Sequence, residues 1–167
     1  MEQFIIQFEK KENLLDLKSQ VSKDKLILCD DIQNTFIVVK LNNSHNIGIA
    51  YYSYGLSLNS FYSQDNTFFY LGFGKTFLCI DIYRSKILYN QKLQSVFYEF
   101  LYDSNKGYIC LICELDVYCY YKNSLKWKIG FEDILNDYSI IDDTKLLILC
   151  NNGENYLISL KEGNILA

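Results

Sequence analysis

The sequence contains no proline, one arginine (Arg84), one histidine (His45), one tryptophan (Trp127) and one methionine. Positive charge is therefore almost wholly lysine, and 16 basic residues against 20 acidic ones leave a net charge of −4. The pI near 5.0 lacks the basic surplus of a dedicated nucleic-acid binder. No run approaches about 18 uninterrupted apolar residues, so no membrane span is expected. Residues 1–20 lack a secretory apolar core, because Glu2, Gln7, Glu9, Lys10, Lys11 and Glu12 interrupt it. The expectation is a cytoplasmic protein with reduced thiols.

Motifs for chemistry are missing too. His45 lies among Asn42, Asn43, Ser44 and Asn46, with no nucleophile or carboxylate partner indicated, and reads as a solvated loop residue rather than a base. Gly72-Phe73-Gly74-Lys75-Thr76 ends like a phosphate-binding loop, but Phe69 stands where the first glycine belongs and a strand-like run follows instead of a helix. Cys110 and Cys113 form a lone CxxC inside the apolar run 109–113; on a strand they face opposite sides, and no second pair completes a zinc site. All six cysteines read as buried free thiols. The paired acids Asp30-Asp31, Glu132-Asp133 and Asp142-Asp143 read as solvated turn residues rather than an acid–base pair or a cation site. No enzyme activity, cofactor or metal is expected.

What is present is apolar and aromatic. Of 167 residues, 50% are hydrophobic and 22% charged, with 15 Tyr and 11 Phe. This excludes disorder and suffices for one domain with a sizeable core. The bias toward Tyr, Phe, Ile, Asn and Lys follows from an AT-rich genome, but aromatic and β-branched residues also suit a pleated surface.

A repeat organises the chain. Asp65 to Leu71, stepped forward 39 residues, becomes Ser104 to Cys110, and stepped again becomes Asp143 to Leu149: each time a polar turn precedes an apolar run. The second half of the unit keeps register, from Leu78–Ile82 to Val117–Tyr121 to Tyr156–Leu160, with Ser85, Ser124 and Gly163 in one turn position. Lys25 to Asp31 followed by Asn34 to Val39 resembles a further copy, with an insertion around residues 46–60. Phe4-Ile5-Ile6-Gln7-Phe8 resembles half a unit.

The units run roughly 24–50, 60–90, 95–131 and 134–167, with a half unit at 3–18, in a single domain 1–167. In the third unit the strands are predicted at 95–102, 108–113, 117–121 and 126–131. The second strand is apolar without alternation, as expected when both faces are buried. The fourth alternates and carries Lys126 and Lys128, the usual guard on an edge. Leu28, Leu71, Leu111, Ile148, Ile158 and Trp127 are the predicted core.

Such units resemble blades of the WD-type and PQQ-type β-propeller families. Residues 156–166 are similar to the strand–turn–strand of a PQQ-type blade, although the Trp-Asp dipeptide and the regular PQQ-type tryptophan are absent. The resemblance implies an all-β fold of about four blade-like antiparallel meanders, either an open half-propeller or a small four-bladed propeller. An irregular β-sandwich is the alternative.

In such meanders the loops sort to two faces. One is mixed: Lys23, Lys25, Lys40, Arg84, Lys86, Lys106, Lys122, Lys126, Lys145 and Lys161 stand with Asp24, Asp65, Asp103, Asp142, Asp143 and Glu162. The other is acidic: Asp30, Asp31, Glu114, Asp116, Glu132, Asp133, Asp137 and Glu154 face only Lys75, Lys92 and Lys128. The acids either keep loops soluble or dock a basic protein, since complementary charge speeds encounter. A short, acidic, motif-free chain resembles, in style, small bacterial immunity proteins that neutralise toxins, and an acidic face suits a basic nuclease. The alternatives are a small-ligand binder, with Asp30, Asp31, Asn151 and Asn152 lining a channel, and a propeller fragment that oligomerises.

Overall fold

The computed structural model describes residues 6–41, 45–103 and 107–167. Phe4 and Ile5 of the N-terminal half unit, Asn42, Asn43 and Ser44 beside His45, and the repeat turn at Ser104, Asn105 and Lys106 lie outside the described residues. The chain divides into two compact units, Met1–Lys92 and Leu93–Ala167. Each contains two sheets.

The first sheet departs most from the repeat. β1 (Ile6–Lys11) is followed by helix α1 (Leu14–Gln20), then β2 (Leu26–Leu28), β3 (Thr35–Leu41) and β4 (His45–Tyr51). Their order is β1-β3-β4-β2. The expectation that residues 25–31 and 34–39 form adjacent strands of a repeat hairpin is corrected: β2 pairs in parallel with β4, Leu26 opposite Gly48, while β3 pairs with β1 from Ile6↔Leu41 to Lys11↔Phe36. Three residues make too short a strand to compete with the six-residue ladder of β1. The insertion expected around 46–60 contains most of β4.

Within the half unit expected at 3–18 the chain turns helical at Leu14, and the helix runs on to Gln20. Asn13 caps the helix, its Oδ1 accepting from the Leu15 and Asp16 amides at 2.9 and 3.0 Å. Leu14, Leu17 and Val21 follow helical spacing, and Leu17 packs with Val38 and Ala50 against the sheet. Gly48 permits this approach, since a Cβ there would lie 2.7 Å from Val21 Cγ2.

The second sheet is a plain antiparallel meander of β5 (Asn59–Tyr62), β6 (Phe68–Phe73), β7 (Thr76–Asp81) and β8 (Lys86–Lys92). β7 is buried throughout, whereas β8 alternates and exposes its lysines. The Gly72–Thr76 segment is the tight β6–β7 hairpin, with Gly74 at φ +49°.

In the second unit, β9 (Phe97–Tyr102), β10 (Tyr108–Cys113), β11 (Asp116–Tyr121) and β12 (Ser124–Gly130) form the third sheet. Their turn falls one residue earlier than the repeat suggests: Lys122 and Asn123 take φ +48° and +62°, so Ser124 already pairs with Tyr121. The fourth sheet has β13 (Leu135–Ile141), β14 (Lys145–Cys150) and β15 (Asn155–Ser159). Its fourth strand is rudimentary, an Ile158–Ile165 bridge with the Leu166 amide donating to Leu157 O at 2.7 Å.

Each unit has a core drawn from both of its sheets. Ile49 and Tyr51 pack with Leu71, Phe73, Leu78 and Ile80 in the first. Cys110, Val117 and Cys119 pack with Leu146, Ile148, Ile158 and Leu160 in the second. Of the predicted core, Leu71, Leu111, Ile148 and Ile158 are fully buried and Trp127 is half-buried. Leu28 is a correction: at the end of edge strand β2 it is 52% exposed.

All six cysteines are free thiols; five are buried and Cys29 is half-buried. Cys110 lies opposite Cys119, while Cys113 feels the charges of Asp116 and Lys128. Trp127 fastens the last turn, its Nε1 donating to Leu160 O at 2.8 Å. Gly163 sits against its ring at φ +72°, with only 2.4 Å between an added Cβ and Trp127 Cγ.

Gly163→Ala therefore incurs both the left-handed backbone penalty, about 1–2 kcal/mol, and a clash with the indole. Gly153→Ala, also at positive φ but with nothing within 4 Å of its Cβ, incurs only the first. Urea unfolding of both variants is expected to show the larger loss at Gly163; equal losses would exclude the indole contact. In the same assay, Ile148→Asp is expected to lose about 3 kcal/mol or more, because it buries an unpaired carboxylate.

Candidate functional site

The acidic loops of the second unit are joined by backbone hydrogen bonds. Leu135 N donates to Glu114 O at 2.9 Å, Phe131 N to Leu115 O at 2.8 Å, and Asn151 N to Ile134 O at 2.8 Å. These bonds gather the β10–β11, β12–β13 and β14–β15 loops at one end of the unit. Glu132 and Glu154 are exposed there, and Glu114 and Asp133 are half-buried. Leu115 and Ile134 stand among them, 36% and 42% exposed. Asp137 is exposed on β13 rather than in a loop.

Glu154 is organised rather than merely solvated. Tyr156 donates its hydroxyl to Glu154 Oε2 at 2.7 Å, and the Glu154 amide donates to Asn152 Oδ1 at 2.9 Å. The Tyr156 hydroxyl, followed by the Asn152 side chain, lowers the Glu154 carboxyl pKa below its usual value. Conversely, the carboxylate pushes the Tyr156 phenol up to about 12.

Asp116 requires a correction. It is not a solvated loop acid but a buried residue at the start of β11, 4% exposed. Ser95 Oγ donates to its Oδ2 at 2.7 Å and also accepts from the Leu115 amide at 3.0 Å. Lys128 Nζ lies 3.4 Å from its Oδ1 and 5.0 Å from the Tyr118 ring centroid. These contacts hold the segment entering β9 against the β10–β11 turn and the outer strand, so Asp116 supports the scaffold.

Asp30 and Asp31 belong to the first unit, on the loop leaving β2. They line an open depression of about 450 Å³ with Ile32, Tyr52, Tyr54 and Lys92. Asp30 has φ +66° and Tyr54 φ +53°, both unusual for non-glycine residues. Asp30 Oδ2 accepts from the Tyr52 amide at 3.4 Å, and Asn34 Oδ1 from the Ser53 amide at 2.8 Å. The tyrosines were hidden in the sequence because aromatic residues are abundant throughout; the cluster Tyr51-Tyr52-Ser53-Tyr54-Gly55 within the expected insertion was the available signal.

Asn151 and Asn152 are exposed in the β14–β15 turn, and His45 opens β4 with an exposed side chain. Among the described residues, no group of three or more His, Cys, Asp or Glu side chains is placed to hold a metal. No described helix is long and apolar enough to cross a membrane.

No protein-family model and no curated protein matches the sequence. Solved structures do. The β-propeller domain of Cps50 (Swd1) from Myceliophteria thermophila is 11% identical, with a TM-score of 0.54 over 83% of this chain and 52% of that one. Kuenenia stuttgartiensis hydrazine synthase is 13% identical, with a TM-score of 0.54 over 86% and 47%. The dihydro-heme d1 dehydrogenase NirN is 15% identical, with a TM-score of 0.53 over 79% and 32%. All three are β-propeller proteins. The fold is all-β and propeller-like, as the repeat predicts. The chain spans about a third to a half of the length of these neighbours.

The Glu154–Tyr156 pair makes a pH prediction. A carboxyl held below its unfolded pKa stabilises the fold above that unfolded value, and the contribution is lost as pH falls through the folded one. Tyr156→Phe should raise the Glu154 pKa toward the ordinary range and diminish this acid-side contribution. A carboxyl-detected NMR titration checks it; an unchanged Glu154 midpoint would remove the hydroxyl as the cause.

Proposed function

We propose that this chain is a protein-binding module, without catalysis or cofactor of its own, that recognises a basic protein through the acidic loop end of its second unit. The observation that carries the reading is the gathering of Glu114, Glu132, Asp133 and Glu154 around exposed Leu115 and Ile134. Apolar side chains inside a charged rim suit a docking surface, and rim acids raise the rate of encounter with a cationic partner. In its most concrete form the module is a cytoplasmic immunity protein, and its partner a basic, nuclease-type toxin. Basic enzymes that cut nucleic acid present the charge this surface complements.

A second reading draws on the last sheet. In β14 burial alternates, and Leu147 and Leu149 are only half-buried, as is Leu157 opposite Leu147 on β15. A sheet face of this kind suits a further blade from a second copy. Light scattering at micromolar concentration separates the readings: a dimer favours the fragment that assembles, and a monomer favours the module acting alone.

For the first reading, Glu132, Asp133 and Glu154 are changed together to Lys, leaving buried Asp116 untouched. Binding to a basic nuclease used as the probe is expected to weaken mainly through a slower on-rate at low salt. Raising salt should slow the unmodified protein too, since the screening length is about 8 Å at physiological ionic strength. Lys86, Lys122 and Lys161 changed to Glu form the control set. Surface plasmon resonance reads both; equal losses, or a loss confined to the lysine set, would sink the acidic-surface reading.

A further inference from the structure

The depression of the first unit carries a more specific chemistry. Ile32 is 73% exposed, Tyr52 38% and Tyr54 40%, an apolar surface set directly beside two carboxylates. The two tyrosine rings meet edge to face, with centroids 4.9 Å apart and planes at 81°. Their corner is therefore defined rather than collapsed. Lys75 Nζ lies 5.5 Å from the Tyr54 ring centroid, so this ring already receives a cation from its own chain.

The backbone beneath is fixed. Cys29 N donates to Ala50 O at 2.8 Å and Asn34 N to Tyr51 O at 3.1 Å, tying the loop after β2 to the strand that leads into Tyr52. A Cβ on Gly74 would lie 2.7 Å from Tyr52 O, so the β6–β7 turn presses against this segment. A site so held loses little conformational freedom on binding.

Its charge is incompletely matched. Asp31 is exposed, and neither Asp30 nor Asp31 has an ion-pair partner within 4.0 Å among the described residues. Lys92 lines the same depression without closing such a pair.

We infer that this depression binds an arginine side chain of a partner protein, its guanidinium stacked on Tyr52 and forked onto Asp31. The inference rests on the protein-binding reading and names the group recognised. Arginine fits better than lysine because its planar cation can stack on an aromatic face and donate two parallel hydrogen bonds to one carboxylate. A neutral side chain would leave the carboxylates unmatched, and an anionic one would be repelled by them.

The test uses blocked tripeptides, acetyl-Gly-Arg-Gly-amide and its lysine and citrulline counterparts, titrated into the whole labelled chain by two-dimensional NMR. Citrulline keeps the shape and removes the charge. The arginine peptide is expected to give saturable shifts at residues 30–34 and 52–54, with both counterparts weaker by about tenfold. Asp31→Asn is expected to weaken arginine binding by a similar factor, Tyr52→Phe to retain it, and Lys92→Gln to tighten it by removing a competing cation. Tyr52→Phe keeps the ring and removes only the hydroxyl, so stacking is separated from hydrogen bonding by the phenol.

Shifts absent from these residues, or citrulline or lysine binding as well as arginine, would overturn the inference. So would an Asp31→Asn variant that binds arginine undiminished. These probes need no partner protein and touch none of the second unit's acids. A negative result here leaves the acidic-loop reading intact, and failure of the loop reversals leaves this site standing.

Discussion

Burial of the central strands on both faces is the constraint from which the rest follows. β7 shows no exposed residue, and β10 and β11 are buried along nearly their whole length. Such strands must be covered by apolar material on both sides, and a single sheet cannot supply it. Each unit answers by packing one sheet on another, so that Tyr51 meets Phe73 at 4.8 Å between ring centroids in the first and Trp127 reaches Leu160 in the second. The outer strand β8 is then free to alternate, and lysines on β8 and β12 guard edges that no proline protects.

The repeat was legible where the chain obeys that constraint simply. The third unit's apolar run 108–113 and its neighbours form strands close to their expected places, because period, turn chemistry and edge charge agree there. The first sheet was not legible for an equally physical reason. Leu26-Ile27-Leu28-Cys29 has the composition of a buried central strand, yet β1 takes the place beside β3 and leaves β2 at an edge. Composition does not encode which of two apolar segments wins a neighbour. Helix α1 was hidden similarly: seven residues carry too few turns for their spacing to stand out, and its position depends on Gly48 and on the sheet beneath.

For the candidate sites, the sequence supplied charges but not their surroundings. Asp116 and Glu114 are two residues apart and chemically alike, but Asp116 is buried against Ser95 and Lys128 whereas Glu114 stays half-exposed. A carboxylate with a buried serine and lysine in reach anchors structure; one facing water acts at a distance. That difference depends on which strand segments meet, and no local pattern records it. Tyr52 and Tyr54 were obscured for the opposite reason. In a chain with 15 tyrosines, any pair is unremarkable until its exposure and its carboxylate neighbours are seen.

The two candidate surfaces therefore suit different steps of recognition. Exposed acids on the second unit act over a screening length and bear on encounter more than on residence. The tyrosine–aspartate depression acts only in contact, where planar shape and hydrogen-bond direction distinguish one cation from another. Long-range charge alone attracts any basic surface and discriminates poorly. Contact chemistry alone discriminates but does not hasten arrival. A scaffold carrying both can combine speed with selectivity, because its sheets hold short loops in place and leave the loops free to vary in chemistry.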